Sequence, residues 1–415
     1  MVRMSEFLNS RGLYETNQSA YRPFHSCETA LIRVQNDILQ AMNYGKITLL
    51  VLMDLSAAFD TVDHGIFLHR LEHRIGIRGT ALSWFKSYLT NRSQVVCIND
   101  EFSDSTILNY GLPQGSVVGP GCFSIYTLPL GDIIRKHGLM FHCYADDTQV
   151  YVSVTPEQHA VDAAIQRLVR CIDDIRLWMS NNYLQYNDDK SEFIVIGSKQ
   201  QRAKVSIPHI RVGDANILPS KGVRNLGVIF DSCMSMDDHV THIVRSANFS
   251  LRNIGLIRKH LSRDVAELLV HAYITSILDI GNSLLYGISQ SQTDRLQRLQ
   301  NKAARIITLT KYRAHISPVL SALHWLPIRQ RTVYKIGLFV YKILNGNDPS
   351  YLSDLVELYA PGRSGLRSSN QQLLVEHQSN NHWGNVRLLL LRLAFGMHSL
   401  LKCGLLLLSR LSSLI

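Results

Sequence analysis

Two adjacent carboxylates at a tight turn constrain this chain more than any other feature. Residues 144–147 read Tyr-Ala-Asp-Asp and lie between two apolar segments, residues 139–143 and 148–154, whose composition is typical of β-strands. Neighbouring acids at such a turn repel each other unless a divalent cation lies between them, so the segment is a candidate Mg²⁺ site. Asp pairs are also common in hairpin turns, where their side chains cap the backbone, and that alternative stays open for the tetrad alone.

A second acid follows a continuous apolar run. Residues 47–53 have the composition of a strand buried on both faces, and Asp54 comes directly after them. A carboxylate there is costly to bury unless it is paired or binds a metal ion. Alternatively, Asp54 caps a helix predicted over residues 56–74. Because a two-metal site draws carboxylates from separate strands, Asp54 and the Asp pair together indicate nucleotide polymerisation.

A loop rich in glycine and proline is the third informative segment. Residues 111–120 read Gly-Leu-Pro-Gln-Gly-Ser-Val-Val-Gly-Pro and lead into an apolar helix predicted over residues 122–130. Glycines let a backbone approach a ligand closely, and a helix N-terminus favours phosphate. An ordinary turn has the same composition, so the loop by itself decides nothing.

These three segments, in this order and spacing, resemble the first three palm motifs of the reverse transcriptases of non-LTR (LINE-like, jockey-type) retrotransposons. Leu226 and Gly227 resemble the primer-grip turn of that family. The family's fourth motif is matched by Trp178, Asn182, Leu184, Asn187, Lys190, Ser191 and residues 192–197. Five ordered motifs are hard to obtain by chance, so the chain is identified as a member of this family, from an N-terminally truncated copy.

The resemblance implies an α+β fold, namely a right-hand polymerase with an antiparallel-sheet palm. Residues 1–45 would be partial fingers, 46–235 the palm, and 236–360 an all-helical thumb and C-terminal region. A palm helix packed on the sheet is also predicted by apolar residues at helical spacing: Val161, Ile165, Leu168, Ile172, Ile175 and Met179.

The resemblance assigns catalysis and metal binding to four residues. Asp54, Asp146 and Asp147 would hold two Mg²⁺ ions, with Mn²⁺ as an alternative. One ion would lower the pKa of the primer 3′-hydroxyl, and the other would neutralise the triphosphate. Lys190 would be the general acid that protonates pyrophosphate. Most lysines are solvated surface groups, and that interpretation of Lys190 is kept beside the catalytic one.

Five further residues would bind the incoming nucleotide. Phe59 would lie under the sugar and exclude a 2′-hydroxyl by steric clash, unless it is simply a core aromatic of an amphipathic helix. Gln114 would contact the templating pair or the nucleotide, and Gly115 would leave room beside it. Tyr144 precedes the acid pair, and Arg22 is a candidate phosphate contact or an ordinary surface residue.

A basic helix is predicted in the thumb. Its cations recur at three- and four-residue steps, beside an apolar face: Arg295, Arg298, Lys302 and Arg305. Such a helix packs by one side and offers a basic ridge to phosphates, although a solvated helix face has the same pattern. The formal net charge of +10 agrees with a polyanionic partner. The expected partners are an RNA template, a DNA primer or target, and dNTPs, and the oligomeric state is not predicted.

The cysteines and the termini bear on the cellular setting. None of the seven cysteines forms a CxxC pair, which indicates a reducing compartment and neither structural zinc nor a disulfide framework. No signal peptide begins the chain, so an intracellular protein is expected. The family resemblance implies a location in the nucleus and the cytoplasm.

The last segment, residues 361–415, is predicted to be disordered or frameshifted. Its leucine runs are interrupted by Arg and Lys well short of the roughly 20 apolar residues that a bilayer requires, so no membrane association is expected. Residues 383–399 can be encoded by DNA whose neighbouring frame reads like the usual ending of the family, which favours a frameshift.

Two alternatives to an active RNA-directed DNA polymerase remain open. An inactive retrotransposon remnant with residual nucleic-acid binding would explain truncated fingers and an aberrant tail. An RNA-dependent RNA polymerase is disfavoured by Phe59 and by Tyr-Ala, rather than Gly, before the acid pair.

Overall fold

The computed structural model of the chain describes residues 2–56, 58–187, 190–213 and 215–356. The predicted tail, residues 361–415, lies outside these residues, as do Asp188 and Asp189, which precede Lys190. None of the helices within the described ranges is long and apolar enough to cross a lipid bilayer.

Helices make up most of the described regular structure. In chain order they are α1 (Val2–Ser10), α2 (Cys27–Asn43), α3 (His64–Arg70), α4 (Gly79–Leu89), α5 (Gly119–Tyr126), α6 (Pro129–Lys136), α7 (Gln158–Asn181), α8 (Lys199–Arg202), α9 (Asp237–Ile257), α10 (Arg263–Val270), α11 (Ser276–Asp279), α12 (Gln290–Thr308), α13 (Ser317–Ala322), α14 (Ile328–Leu344) and α15 (Ser350–Ser353). Short π-helical turns, Leu71–Ile75 and His271–Thr275, continue α3 and α10.

The strands are short apart from those of one central sheet. They are β1 (Ile47–Met53), β2 (Leu55–Ser56), β3 (Arg92–Gln94), β4 (Cys97–Ile98), β5 (Glu101–Phe102), β6 (Thr106–Leu108), β7 (Met140–Tyr144), β8 (Asp147–Val154), β9 (Gln185–Tyr186), β10 (Glu192–Ile196), β11 (Ile210–Val212), β12 (Ala215–Ile217), β13 (Gly222–Asn225) and β14 (Val228–Asp231).

The central sheet carries the two strands that the acids follow. Its order is β10-β1-β8-β7, and β8 runs antiparallel to both β1 and β7. Every residue of β1 except Leu52 is buried, which confirms the prediction of a strand covered on both faces. Alternate side chains of β1, namely Leu49, Val51 and Met53, join the main apolar core together with residues of β7, β8 and the neighbouring helices. The predicted α+β class with an antiparallel sheet is therefore confirmed.

Helix α7 packs against β8 and α6 with the apolar stripe that the sequence predicted. Leu168, Ile172 and Ile175 of this stripe are fully buried, whereas Ile165 is only partly buried at the edge of the core. The stripe recurs at helical spacing, so burying one face of the helix accounts for its position on the sheet.

Two helix predictions are wrong in extent. The helix expected over residues 56–74 begins only at His64, because the Asp63 carboxylate accepts a hydrogen bond from the Ile66 N–H at 2.8 Å and caps the helix there. Asp54 therefore caps no helix. The helix expected over residues 122–130 is divided between α5 and α6, and Pro129 begins the second, where its missing N–H costs nothing.

The chain divides into two compact units, each made from separate stretches of sequence. The first unit comprises the residues up to Ala30, Ile47–Val195 and Gln200–Ser220, and it contains the central sheet. The second comprises Leu31–Lys46, Ile196–Lys199 and the described residues from Lys221 onward. From Asp237 on, every described element is helical, as predicted. The boundaries of fingers, palm and thumb remain predictions.

Candidate active site

The register of the central sheet places the three predicted acids at one end of it. Met53 pairs with Thr148 across β1 and β8, and Tyr144 pairs with Asp147 across β7 and β8. Asp54, directly after β1, therefore lies at the same end as the two-residue turn that joins β7 to β8. Residues that are 92 or more positions apart in sequence are brought together by strand pairing alone.

Mutual repulsion marks these acids as a charged cluster. Burial raises the pKa of Asp146, and the charge of Asp54 raises it further, whereas Lys190 lowers it. Desolvation of the carboxyl raises the pKa of Asp147 to about 6, and the charges of Asp146 and Asp54 add to this effect. A cation bound beside such a cluster would relieve the repulsion.

The donor set suits a hard divalent cation that takes part of its coordination from elsewhere. No three His, Cys, Asp or Glu side chains within the described ranges are arranged closely enough to hold a metal ion on their own. Mg²⁺ characteristically uses one or two carboxylates and completes its octahedron with water and substrate phosphates. The residues present therefore fit a Mg²⁺ ion that is bound jointly by the protein and a nucleotide. They fit less well a site in which the protein supplies every ligand.

Lys190 lies against the first of the acids. Its Nζ donates to Asp54 Oδ2 at 3.2 Å. Asn187 fixes this pair, because its N–H donates to the Asp54 carbonyl at 3.1 Å and its Oδ1 accepts from the Lys190 N–H at 3.3 Å. The Lys190 side chain is 67% exposed, so it is both a surface lysine and a neighbour of the predicted ligands.

The predicted nucleotide-binding loop, residues 111–120, is hydrogen-bonded to the segment that follows β1. The Gly111 N–H donates to the Val62 carbonyl at 2.8 Å, and Gln114 Nε2 donates to Asp60 Oδ1 at 2.9 Å. A Cβ at Gly111 would lie 2.9 Å from the Asp60 carbonyl oxygen, and φ is +86° there, so only glycine fits. At Gly115 an added Cβ would meet no atom within 4 Å, but φ of +76° favours glycine all the same.

Phe59 lies in the turn before α3, so the predicted alternative of an amphipathic helix is wrong, although its ring does pack against the core. Its ring stacks on that of Phe123 with the centroids 4.7 Å apart and the planes 26° from parallel. Phe123 is fully buried, whereas Phe59 is only partly buried. One part of the Phe59 ring therefore belongs to the core and another part stays accessible.

The hairpin turn itself is conformationally unusual. Ala145 has φ of +58°, in the left-handed region that glycine normally occupies at the first position of a two-residue hairpin. Tyr144 immediately before it is partly buried. Two residues for which the sequence predicts no role also interact with this turn. Gln18 binds the Ala145 backbone, and the charge of Asp146 contributes, after burial, to a raised pKa of Tyr21.

No local pattern in the sequence marks Gln18 or Tyr21 as neighbours of the acids. The single signal was their place within residues 1–45, which were predicted to be partial fingers. Arg22 in the same stretch donates from Nη1 to the carbonyls of Glu15 and Gln18 at 2.8 and 3.0 Å, and it lies over the Tyr14 ring. These contacts stabilise the loop, and the predicted phosphate contact of Arg22 remains a prediction.

The predicted primer-grip turn lies in the second unit. Leu226 and Gly227 connect β13 to β14, where Asn225 pairs with Val228. Both turn residues have positive φ, +45° and +89°, as a type I′ hairpin requires. Asn or Gly is usual at the first of these positions, so leucine is held there against its conformational preference. Local strain of this kind is commonest at functional sites.

Helix α12 carries the predicted basic ridge, and most of its cations already have protein partners. Arg295 donates to Thr241 Oγ1 at 3.0 Å and Lys302 to Asn248 Oδ1 at 3.1 Å, both on α9. Arg305 donates to the Ala314 carbonyl at 3.1 Å. Arg298 is exposed. The neighbouring apolar face is buried, as predicted, through Leu296, Leu299 and Ala303, whereas Ile306 is only partly buried.

The acid cluster, the glycine loop and the central sheet all lie in the part of the chain that matches a known protein family. A profile described as reverse transcriptase (RNA-dependent DNA polymerase) matches residues 2–230 of the 415. The chain belongs to this reverse transcriptase family.

Curated relatives of the chain include proteins of mobile elements. The chain is 24% identical over 318 residues to the probable RNA-directed DNA polymerase from transposon BS of Drosophila melanogaster, covering 75% of this chain and 34% of that protein. It is 25% identical over 313 residues to the corresponding protein of transposon X-element, covering 74% and 33%. It is 23% identical over 301 residues to the RNA-directed DNA polymerase from mobile element jockey, covering 70% and 32%. The predicted jockey-type resemblance is confirmed, and the chain spans about a third of the length of these curated relatives.

Solved structures with partial similarity include two telomerases in complex with a fragment of telomeric RNA. The one from Candida albicans is 12% identical, with a TM-score of 0.43 that covers 85% of this chain and 54% of that chain. The one from Candida tropicalis is 10% identical, with a TM-score of 0.41 that covers 78% and 56%.

Proposed function

We propose that this chain is the polymerase part of an RNA-directed DNA polymerase of a mobile element, which transfers nucleotides from dNTPs to a primer 3′-hydroxyl. The observation that carries the proposal is the register of β1, β8 and β7, which brings Asp54 together with Asp146 and Asp147. Membership of the reverse transcriptase family supports the same reaction.

The acids would hold two Mg²⁺ ions between themselves and the triphosphate. When bound, such ions activate the 3′-hydroxyl and neutralise the leaving pyrophosphate. Asp54 follows β1 and Asp146 lies in the turn between β7 and β8, and both would supply oxygens to the two ions, with Asp147 as a supporting acid. Burial and the charges of the neighbouring acids raise the pKa values of Asp146 and Asp147, and a bound cation would oppose this effect.

The remaining residues would orient the nucleotide and move one proton. Lys190, whose Nζ lies 3.2 Å from Asp54 Oδ2, would donate a proton to pyrophosphate as it leaves. The accessible part of Phe59 would lie under the sugar and clash with a 2′-hydroxyl. Gln114 would exchange its contact with Asp60 for one with the nucleotide or the templating pair.

A primer-extension assay on an RNA template with Mg²⁺ tests the proposal. The chain should extend the primer with dNTPs and much less with rNTPs, and Asp146→Asn should abolish extension while leaving the thermal unfolding temperature nearly unchanged. Extension with rNTPs alone would indicate an RNA polymerase. Absence of product from both proteins, with retained template-primer binding, would contradict the proposal and indicate an inactive remnant.

A further inference from the structure

The loop that follows α1 forms a short strand-like edge beside the end of β7. The Cys143 N–H donates to the Asn17 carbonyl at 2.8 Å, and the Ser19 N–H donates to the Cys143 carbonyl at 3.0 Å. Gln18 lies between these two hydrogen bonds as the parallel bridge partner of Cys143. This pairing fixes the Gln18 backbone two residues from the turn that carries the acids.

The Gln18 side chain binds both polar groups of a single turn residue. Its Oε1 accepts a hydrogen bond from the Ala145 N–H at 3.0 Å, and its Nε2 donates to the Ala145 carbonyl at 3.2 Å. The same Oε1 also accepts from the Ala20 N–H at 3.0 Å. Gln18 is only 3% exposed, so these bonds are shielded from water. The amide thus contacts the backbone of Ala145 in the way a neighbouring strand would.

Ala145 is the residue of the turn that most needs such support. A left-handed φ of +58° costs a non-glycine residue about 1 kcal/mol, and such a conformation persists only where its surroundings hold it. Asp146 and Asp147 follow directly, so any relaxation of the backbone at Ala145 would redirect their carboxylates. The conformation of this one residue therefore governs where the acids point.

The loop that supplies Gln18 is itself anchored. Glu15, whose side chain is 8% exposed, accepts two hydrogen bonds of 2.9 Å from the Arg135 guanidinium on α6. Arg22 donates to the Gln18 carbonyl from the other side. Ser19 Oγ lies 2.7 Å from His142 Nε2 on β7, and both residues are buried. Gln18 is thus held by rigid parts of the first unit on both sides.

We propose that Gln18 is a positioning residue that holds the Ala145 backbone in its left-handed conformation and thereby sets the geometry of Asp146 and Asp147 for metal binding. The inference rests on the proposed function, because it assigns these acids to a divalent cation. Gln18 would act through the Ala145 backbone and would itself contact neither the metal nor the substrate. Supporting residues of this kind typically change metal affinity or activity 10- to 100-fold when they are removed, that is by about 1.4 to 2.7 kcal/mol.

The test uses the full chain and its Gln18→Met variant, which keeps the side-chain length but loses the amide. Mn²⁺ binding, followed by electron paramagnetic resonance of the free ion, should weaken about tenfold in Gln18→Met. In primer extension kcat should fall by a similar factor, whereas KM for template-primer should stay within about twofold. The matched control is Gln35→Met in the second unit, because Gln35 is also buried and donates to a backbone carbonyl, that of Leu284. Gln35→Met should leave Mn²⁺ affinity unchanged.

A second variant separates positioning from general loss of packing. Glycine adopts positive φ without a steric penalty, so Ala145→Gly should restore part of the Mn²⁺ affinity when it is combined with Gln18→Met. Loss of packing at position 18 would not be repaired by this change. Both variants should show the circular dichroism spectrum of the folded chain at the temperature of the assay.

The outcomes distinguish failure of this inference from failure of the proposed function. If Gln18→Met binds Mn²⁺ and extends primers like the parent chain while Asp146→Asn does neither, the positioning role is wrong and the polymerase proposal stands. If Asp146→Asn binds Mn²⁺ like the parent chain, the metal site is wrong and both proposals fail. Weakened binding in Gln18→Met without rescue by Ala145→Gly would also overturn the positioning role.

Discussion

Lys190 and Asp54 form a contact between residues that are 136 positions apart in the chain. The Lys190 side chain is mostly exposed, and ion pairs of this kind contribute at most about 1 kcal/mol to stability. The contact therefore adds little to stability. Its main effect is to keep the Lys190 side chain beside the acid cluster. A role in catalysis and a role in stability can be separated experimentally at this residue.

We expect Lys190→Met to lower kcat for primer extension about 100-fold or more, because general acids contribute roughly 10²- to 10⁴-fold. The free energy of unfolding in urea should change by less than about 1 kcal/mol. Lys136→Met removes another exposed lysine of the first unit and should leave both quantities unchanged. Equal activities of the two variants would show that Lys190 is an ordinary surface lysine.

Phe59 offers a second test at a single residue. Phe59→Ala should raise the ratio of rNTP to dNTP incorporation about tenfold or more, because the ring no longer meets a 2′-hydroxyl. It should also cost about 2 kcal/mol of stability through the lost stacking on Phe123. Phe67→Leu, which alters an aromatic contact with Phe85 in the same core, should reduce stability without changing the ratio. If Phe59→Ala only reduces stability, Phe59 is a core aromatic and nothing more.

At the scale of elements, the sequence predicts those strands and helices that are marked by a local pattern of apolar and turn residues. β1, β7 and β8 were predicted within one residue at each end because apolar runs and turn residues mark them locally. The four short strands β3 to β6 were not predicted, since most of their residues are exposed and show no alternation. The Gln18–Ala145 contact spans 127 residues and depends on backbone atoms, which leave no trace in the pattern of side chains.

Helix α12 carries a prediction at the scale of a whole element. Arg298 is exposed while three other basic residues of the helix already donate to protein atoms, so Arg298→Glu should change binding and not the fold. Template-primer affinity should fall, and the slope of log K against log salt should become shallower by about one phosphate contact. Arg263→Glu on α10 makes the same charge change at another exposed site and is the control. An unchanged salt slope would exclude the basic ridge.

At the scale of the whole molecule, a partly buried histidine in the first unit and a buried one in the second make stability depend on pH. Burial lowers the pKa of His25 in the first unit and of His239 in the second to about 4. Each ring is neutral when folded and takes up a proton more readily when unfolded. Unfolding is therefore favoured as pH falls from about 6.5 towards 4, and this part of the stability is fully present above pH 6.5.

His239 gives the sharper test because it is only 2% exposed. Its Nδ1 accepts a hydrogen bond from the Ile229 N–H at 3.4 Å, and the charges of His242 and Arg224 add to the effect of burial. Between pH 8 and pH 5 its contribution to the free energy of unfolding should fall by about 2 kcal/mol. His239→Gln, whose amide can accept the same bond, should show a correspondingly flatter pH dependence in urea denaturation. Parallel curves for the two proteins would contradict the assignment.

The interleaving of the two units has a consequence for synthesis on the ribosome. The first unit uses no residue beyond Ser220, whereas α2 from Leu31 onward belongs to the second unit, which also contains the described residues from Lys221 onward. Gln35 binds the Leu284 carbonyl, and Arg33 binds the Tyr351 carbonyl 318 residues downstream. At about 5–20 residues per second, α2 waits roughly 15 to 60 s for its last partner. α2 therefore completes its packing only after most of the chain has been synthesised.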